Sequence, residues 1–237
     1  MTEFSLGALP SPPDPRDYPL ARAPRYADAP TAFPATYSLP PLIPVSLNQL
    51  NDPRSGGCVP FSTTTMKQYQ ERQQTGAWYY TDASAIRLHA RCKQLDGIPN
   101  VEGTYPRVAL QVAKDEGVRA MNGHNYLIGS YYTLQGADDL DNIKRTLTFY
   151  KRPVLLAVGW YSNWFSLTRS HTLKPPSSQV VGGHQVTVYG YADRPDGTTH
   201  LRCINSWGPE WGGNKGRFYM PWPYVGQPWD IWATIDR

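Results

Sequence analysis

Three residues far apart in the chain stand in settings that could do chemistry. Cys58 lies in SGGCVPFS (55–62), behind two glycines and at the head of a stretch that reads as a helix. His184 lies in VVGGHQVTVYGY (180–191), again after two glycines, at the entry to an alternating apolar run. Asn205 closes another apolar run in INSWGPEWGG (204–213), twenty-one residues after the histidine. Singly, each has an ordinary reading: a small buried thiol, a structural histidine, an asparagine capping a turn. In the order Cys, His, Asn they supply a nucleophile, a base and a group that orients the base, the logic of a thiol hydrolase.

The elements that must carry these residues are helical first and extended afterwards. The pattern predicts helices over 58–75, ending at Gly76; 82–95, with Asp82 as N-cap; 105–116, with Pro106 in the first turn; and 138–150, with Leu140, Ile143 and Leu147 on one face. Strands are predicted at 153–160, 185–192, 200–206, 216–220 and 231–236. Helices grouped ahead of strands imply an α+β fold. Cys58 would head the first helix, where the dipole favours a thiolate, and Gly56 and Gly57 would let the chain approach a substrate closely. Pro60 fits the first turn, where no intrahelical N–H bond is lost.

Composition excludes several classes. The net charge of +4 is spread along the 237 residues without a Lys/Arg run, so no nucleic-acid partner is implied. No run of about 18 apolar residues exists, so no membrane span is expected, and the first twenty residues do not read as a secretory signal. The expectation is a cytoplasmic protein, virion-associated if phage-encoded. Three widely spaced cysteines are neither a disulfide framework nor a zinc motif. Cys92 and Cys203 read as core, His89, His124, His171 and His200 as surface or structural residues, and no metal or other cofactor is expected. Eleven of the 23 prolines fall within residues 1–44, which reads as an extended arm, bound over the surface or loose, ahead of one domain at 45–237.

Over most of residues 45–225 the chain resembles the papain-like cysteine peptidases. NQLNDPRSGGCVPFS (48–62) is similar to the family's N-Q-G-x-x-G-S-C-x-A-F-S, and EGTYPRVALQVAKDEGV (102–118) to the segment in which Gly and then Tyr-Pro open a helix. GGHQVTVYGY (182–191) resembles G-x-H-A-V-x-V-x-G-Y, and INSWGPEWGGNKGRFYM (204–220) resembles N-S-W-G-x-x-W-G-x-x-G. PDPRDY (13–18) is similar to the start of bacterial or phage-type members without a long prosegment. The resemblance implies a helical lobe (about 45–150) and an antiparallel, barrel-like β lobe (about 151–237), with the active site in the cleft between them.

By that resemblance Cys58 is the nucleophile of a cysteine-type endopeptidase, and His184 its imidazolium partner. Asn205 orients the histidine, Trp207 shields that bond with Trp211 behind it, and Gln49 joins the Cys58 amide in an oxyanion hole. Gly57, Gly103, Ala157, Gly182, Gly183 and Trp207 would border the bound peptide or protein substrate, around a roomy, uncharged pocket. Two departures stand out. Gln49 precedes Cys58 by nine residues rather than the family's six, and the family's cysteine just ahead of the nucleophile is absent. The arm reads in two ways, as a built-in inhibitor lying in the cleft or as a linker that contacts a partner. The alternative function is a papain-like binding or structural component, for example of a phage particle, with little turnover.

Overall fold

The computed structural model describes residues 4–40, 46–136, 138–177 and 179–236; residues 1–3 and 41–44 of the expected arm lie outside them. Helix α1 (Cys58–Thr75) ends where predicted, because Gly76 adopts φ +75° and donates its N–H to the Arg72 carbonyl. The helix is buried from Cys58 to Glu71. Several of its polar side chains bond within the helix: the hydroxyls of Ser62, Thr63 and Thr64 donate to the Cys58, Val59 and Pro60 carbonyls, and Lys67 pairs with Glu71 at 2.6 Å.

Helix α2 (Asp82–Leu95) covers the predicted span, but its N-cap is Thr81 rather than Asp82. Thr81 occupies the N-cap position without a side-chain cap bond, and Asp82 is drawn away by the backbone N–H of Asn48 (2.8 Å) and the amide of Asn51 (2.6 Å). Helix α3 (Pro106–Asp115) carries its proline in the first turn. Helix α4 (Asp139–Arg145) runs on as one π-helical turn, Thr146–Tyr150, so the predicted 138–150 segment is helical of two kinds.

The strands are β1 (Thr36–Ser38), β2 (Val118–Arg119), β3 (Asn125–Tyr126), β4 (Ile128–Thr133), β5 (Val154–Tyr161), β6 (Val180–Asp193), β7 (Thr199–Ile204), β8 (Arg217–Pro221) and β9 (Asp230–Asp236). Seven of them form one antiparallel sheet in the order β4-β9-β5-β6-β7-β8, with β1 paired to β6; β2 and β3 form a separate ribbon. The predicted strands are all present, β6 starting five residues earlier. Strand β4, IGSYYT, lies at the sheet edge with mostly half-buried residues, so it lacks the apolar alternation that would have marked it.

Both faces of the sheet are covered, and β5 shows how. Leu155 and Ala157 pack toward α1, α2 and α3 with Val59, Met66, Leu88 and Leu110. Val154, Leu156, Val158 and Trp160 face the opposite cluster with Val186, Val188 and Phe218, the two-residue alternation of a strand. The proline-rich arm is anchored to this second cluster: Leu20 and Leu39 are each 1% exposed within it, and β1 extends the β6 edge. Cys92 and Cys203 are buried free thiols, as expected. No helix among the described residues is long and apolar enough to cross a membrane.

Candidate active site

Cys58 opens α1 and is fully buried. Strand β6 sets the residue after His184 against the start of α1: the Gln185 side-chain amide donates to Ser62 Oγ at 2.7 Å, and its backbone N–H meets the Cys58 thiol. His184 itself meets Asn205, with Nε2 to Oδ1 at 2.7 Å. The same Oδ1 accepts the Ser206 N–H at 2.7 Å, which identifies it as the oxygen and makes Nε2 the donor. Nδ1 of a neutral ring is then a free lone pair, and it has no hydrogen-bond partner among the described residues. The ring is held between indoles, 4.5 Å from Trp207 and 4.7 Å from Trp160, with Trp211 edge-on to Trp207. Trp207, itself buried, thus lies against the ring that bonds Asn205.

Gln49 reaches the same site in spite of its longer spacing. Its N–H donates to the Ser206 carbonyl (2.7 Å), and Ser206 Oγ donates to Oε1 (2.6 Å), which turns the amide NH₂ toward the cleft. The three additional residues are taken up outward, in a stretch where Asn51, Pro53, Arg54 and Ser55 are exposed.

The cleft is filled by the chain's own residues 4–9. Gly7 and Ala8 both donate to the Gly183 carbonyl (3.0 Å each), Gly7 O accepts from Thr104 N (2.9 Å), and Leu9 N donates to Thr104 O (3.2 Å), pairing the arm parallel to residue 104. The Gln49 amide and the Trp207 indole both donate to Ser5 O, at 3.0 and 3.3 Å. Phe4 stacks on Trp207 at 4.7 Å. These approaches need glycine. A Cβ at Gly103 would lie 2.0 Å from Gly7 O, and one at Gly183 would lie 2.1 Å from Ala8 O. Gly182 faces Leu6, while the Cα of Gly57 faces Phe61 and Asp52 and makes no such approach to the arm. Gly56, at φ +80°, takes the close position instead.

Burial sets the protonation states under this cover. It pushes the Cys58 thiol up to about 11, against the opposing pull of the Gln185, Gly7, Val59 and Ala8 backbone amides. It also lowers His184 to about 4, the bond to Asn205 pulling the other way. With the cleft occupied, thiol and imidazole are therefore both neutral near pH 7.

Around Ala157, where a roomy, uncharged pocket is expected, the structure places the arm, an indole and a buried acid. Ala157 lies in one cluster with Ala8 of the arm, and Trp229 presses within 2.1 Å of where a Gly183 Cβ would be. Asp230, paired with Ala157 across β9 and β5, is 2% exposed and accepts the Ser11 N–H (2.8 Å) and the Trp232 indole (2.8 Å). Burial raises its carboxyl to about 6. The sequence around Ala157 and Gly182 does not announce Trp229 and Asp230, which lie about seventy residues after the first and nearly fifty after the second.

A family model for papain family cysteine proteases matches residues 48–222, three quarters of the chain, including all four of these side chains. The chain belongs to that family. Among solved structures it is similar to xylellain, a cysteine protease from Xylella fastidiosa, at 20% identity and TM-score 0.79, covering 99% of this chain and 97% of that one. It is also similar to procathepsin B S9 from Trypanosoma congolense, at 16% identity and TM-score 0.76, covering 98% and 87%. At these identities the likeness is one of fold, and the fold is papain-like: α helices packed on an antiparallel sheet. No curated protein sequence matches the chain.

Proposed function

We propose that the protein is a cysteine-type endopeptidase held inactive by its own N-terminal arm. When residues 4–9 leave, desolvation of Cys58 and His184 relaxes, and the proton passes from Sγ to Nδ1 to give a thiolate–imidazolium pair. The thiolate attacks a peptide carbonyl, and the tetrahedral oxyanion takes hydrogen bonds from the Gln49 amide and the Cys58 N–H. The imidazolium protonates the leaving amine, and water drawn to Nδ1 hydrolyses the thioester. Asn205 holds the ring so that Nδ1 stays the reacting nitrogen.

The observation that carries this reading is the pairing of His184 Nε2 with Asn205 Oδ1, which leaves Nδ1 unbonded on a buried ring one residue before the backbone N–H that meets the helix-terminal thiol. The seating of the arm supports inhibition. For attack, one carbonyl must present its carbon to Sγ and its oxygen to Gln49. Here the carbonyl held by Gln49 is that of Ser5, whereas the arm groups approaching the thiol are the amides of Gly7 and Ala8. A bound segment in that phase is not a substrate. The test is hydrolysis of a quenched peptide library by the full chain carrying Gly7→Ala, which is built to dislodge the arm. Turnover abolished by Cys58→Ser supports the reading; a Gly7→Ala protein that labels at Cys58 yet cleaves nothing would refute it.

A further inference from the structure

The stretch between Gln49 and Cys58 is mostly exposed, yet Gln49 must hold its amide to a fraction of an ångström to serve an oxyanion. Between Leu50 and Gly56 one side chain goes inward. Asp52 has a carboxylate with no solvent exposure, and its N–H donates to the Gln49 carbonyl (3.1 Å), closing the turn that carries the glutamine. Its Oδ2 meets Nδ1 of His89 at 2.8 Å, and its Oδ1 accepts the Arg54 N–H at 2.9 Å with the Arg54 guanidinium at 3.7 Å. The carboxylate also lies 3.6 Å from where a Gly57 Cβ would be, directly ahead of the thiol. His89 is fully buried in α2. Seven residues earlier on that helix, two turns along the same face, Asp82 binds the N–H of Asn48 and the amide of Asn51. Helix α2 therefore grips the loop on both sides of Gln49.

We infer that Asp52 and His89 are positioning residues for the oxyanion hole, a buried hydrogen-bonded clasp that fixes the lengthened loop, and with it Gln49, against α2. The inference rests on the endopeptidase reading above. His89 acts as a neutral ring: burial lowers its pKa although Asp52 pulls it upward, so Nδ1–H donates to the carboxylate. Neither residue touches substrate. Their removal should leave the thiolate–imidazolium pair intact and loosen only the donor that stabilises the transition state.

The experiment uses the full chain with Gly7→Ala as parent and adds His89→Ala, His89→Asn, Asp52→Ala, Gln49→Ala and the Gln49→Ala/His89→Ala double variant. Loss of the Gln49 donor itself is worth about 10²–10³ in kcat, which bounds the effect. His89→Ala and Asp52→Ala should each lower kcat by about 10- to 100-fold with KM changed less than about threefold. His89→Asn, whose amide can replace Nδ1–H, should recover most of that loss. The double variant should be no slower than Gln49→Ala alone, because a clasp has nothing left to position. Alkylation of Cys58 by iodoacetamide, a displacement with no oxyanion, should proceed at the parental rate throughout. Unchanged kcat in both alanine variants, full additivity with Gln49→Ala, or alkylation falling in step with kcat would each overturn the inference. A parent that labels normally at Cys58 but hydrolyses nothing would defeat the endopeptidase reading itself, a failure visible before any clasp variant is compared.

Discussion

Replacing Gly7 by alanine tests how the arm sits over the thiol. The added Cβ would fall 2.1 Å from Gly56 O and 2.4 Å from Gly56 Cα, and contacts below 3.0 Å to backbone require something to move. Gly56 cannot yield, because it is fixed at φ +80° with its own Cβ position 2.5 Å from Gly103 N. The arm must lift. Lifting breaks at least the Gly7 and Ala8 bonds to Gly183 O and the Thr104 bond to Gly7 O, each worth about 0.5–1.5 kcal/mol net. Anchorage through Phe4 on Trp207 and through Leu20 deeper in the core persists, so the released fraction grows by a bounded amount. Loss of the three bonds, about 1.5–4.5 kcal/mol, corresponds to a roughly 10- to 1,000-fold larger open population, at 1.4 kcal/mol per factor of ten. The assay is paired: the rate of Cys58 alkylation at pH 7.5 and the rate of peptide-library hydrolysis by the same preparation. Both should rise by that factor. If neither changes while the thermal midpoint stays at the wild-type value, the arm does not cover the thiol in solution and the reasoning fails.

Other consequences follow from burial. Leu20→Ala removes a core side chain that is 1% exposed, so it should destabilise the whole fold by about 2–5 kcal/mol, seen as a lower urea midpoint. An arm acting only as a surface linker would show no such loss, and for the same reason deletion of residues 1–40 is a poor way to free the cleft. Asp230 offers a pH signature. Its folded carboxyl keeps a proton up to about pH 6, whereas the usual aspartate value is 3.8. Its contribution to stability is therefore fullest below pH 4 and declines by about 2–3 kcal/mol as pH rises to 6. The wild-type minus Asp230→Asn difference in unfolding free energy should fall over that interval, and a flat difference from pH 4 to 7 would contradict the assignment.

What could be read from the sequence was local. Helix α1 was legible to the residue because its ends are written in neighbouring letters, Gly57-Cys58 and Gly76. The strands β5 to β9 announced themselves through apolar runs, and the four residues Gln49, Cys58, His184 and Asn205 through motif and order. What escaped depends on contacts between distant segments. Strand β1 sits in a proline-rich stretch whose composition hides it, and only its partner at Gly190–Ala192 makes it a strand. The extra residues before Cys58 could be counted but not interpreted, since their purpose lies in His89, thirty-seven positions from Asp52. His89 itself, with no ligand-like spacing, looked ordinary. Trp229 and Asp230, which the fold sets against Gly183 and Ala157, come from the far end of the chain and escape a local reading in the same way.

The central claim is that Cys58 and His184 form a reactive pair once the arm is displaced. The most direct measurement is iodoacetamide labelling of Cys58 in the full-length Gly7→Ala protein across pH 5–9, with and without His184→Ala, the labelled peptide being identified by mass spectrometry. The account expects labelling already rapid at about pH 5–6, and its loss at that pH when the histidine is removed. Labelling that rises only near pH 8.5, with the same profile whether or not His184 is present, would contradict it.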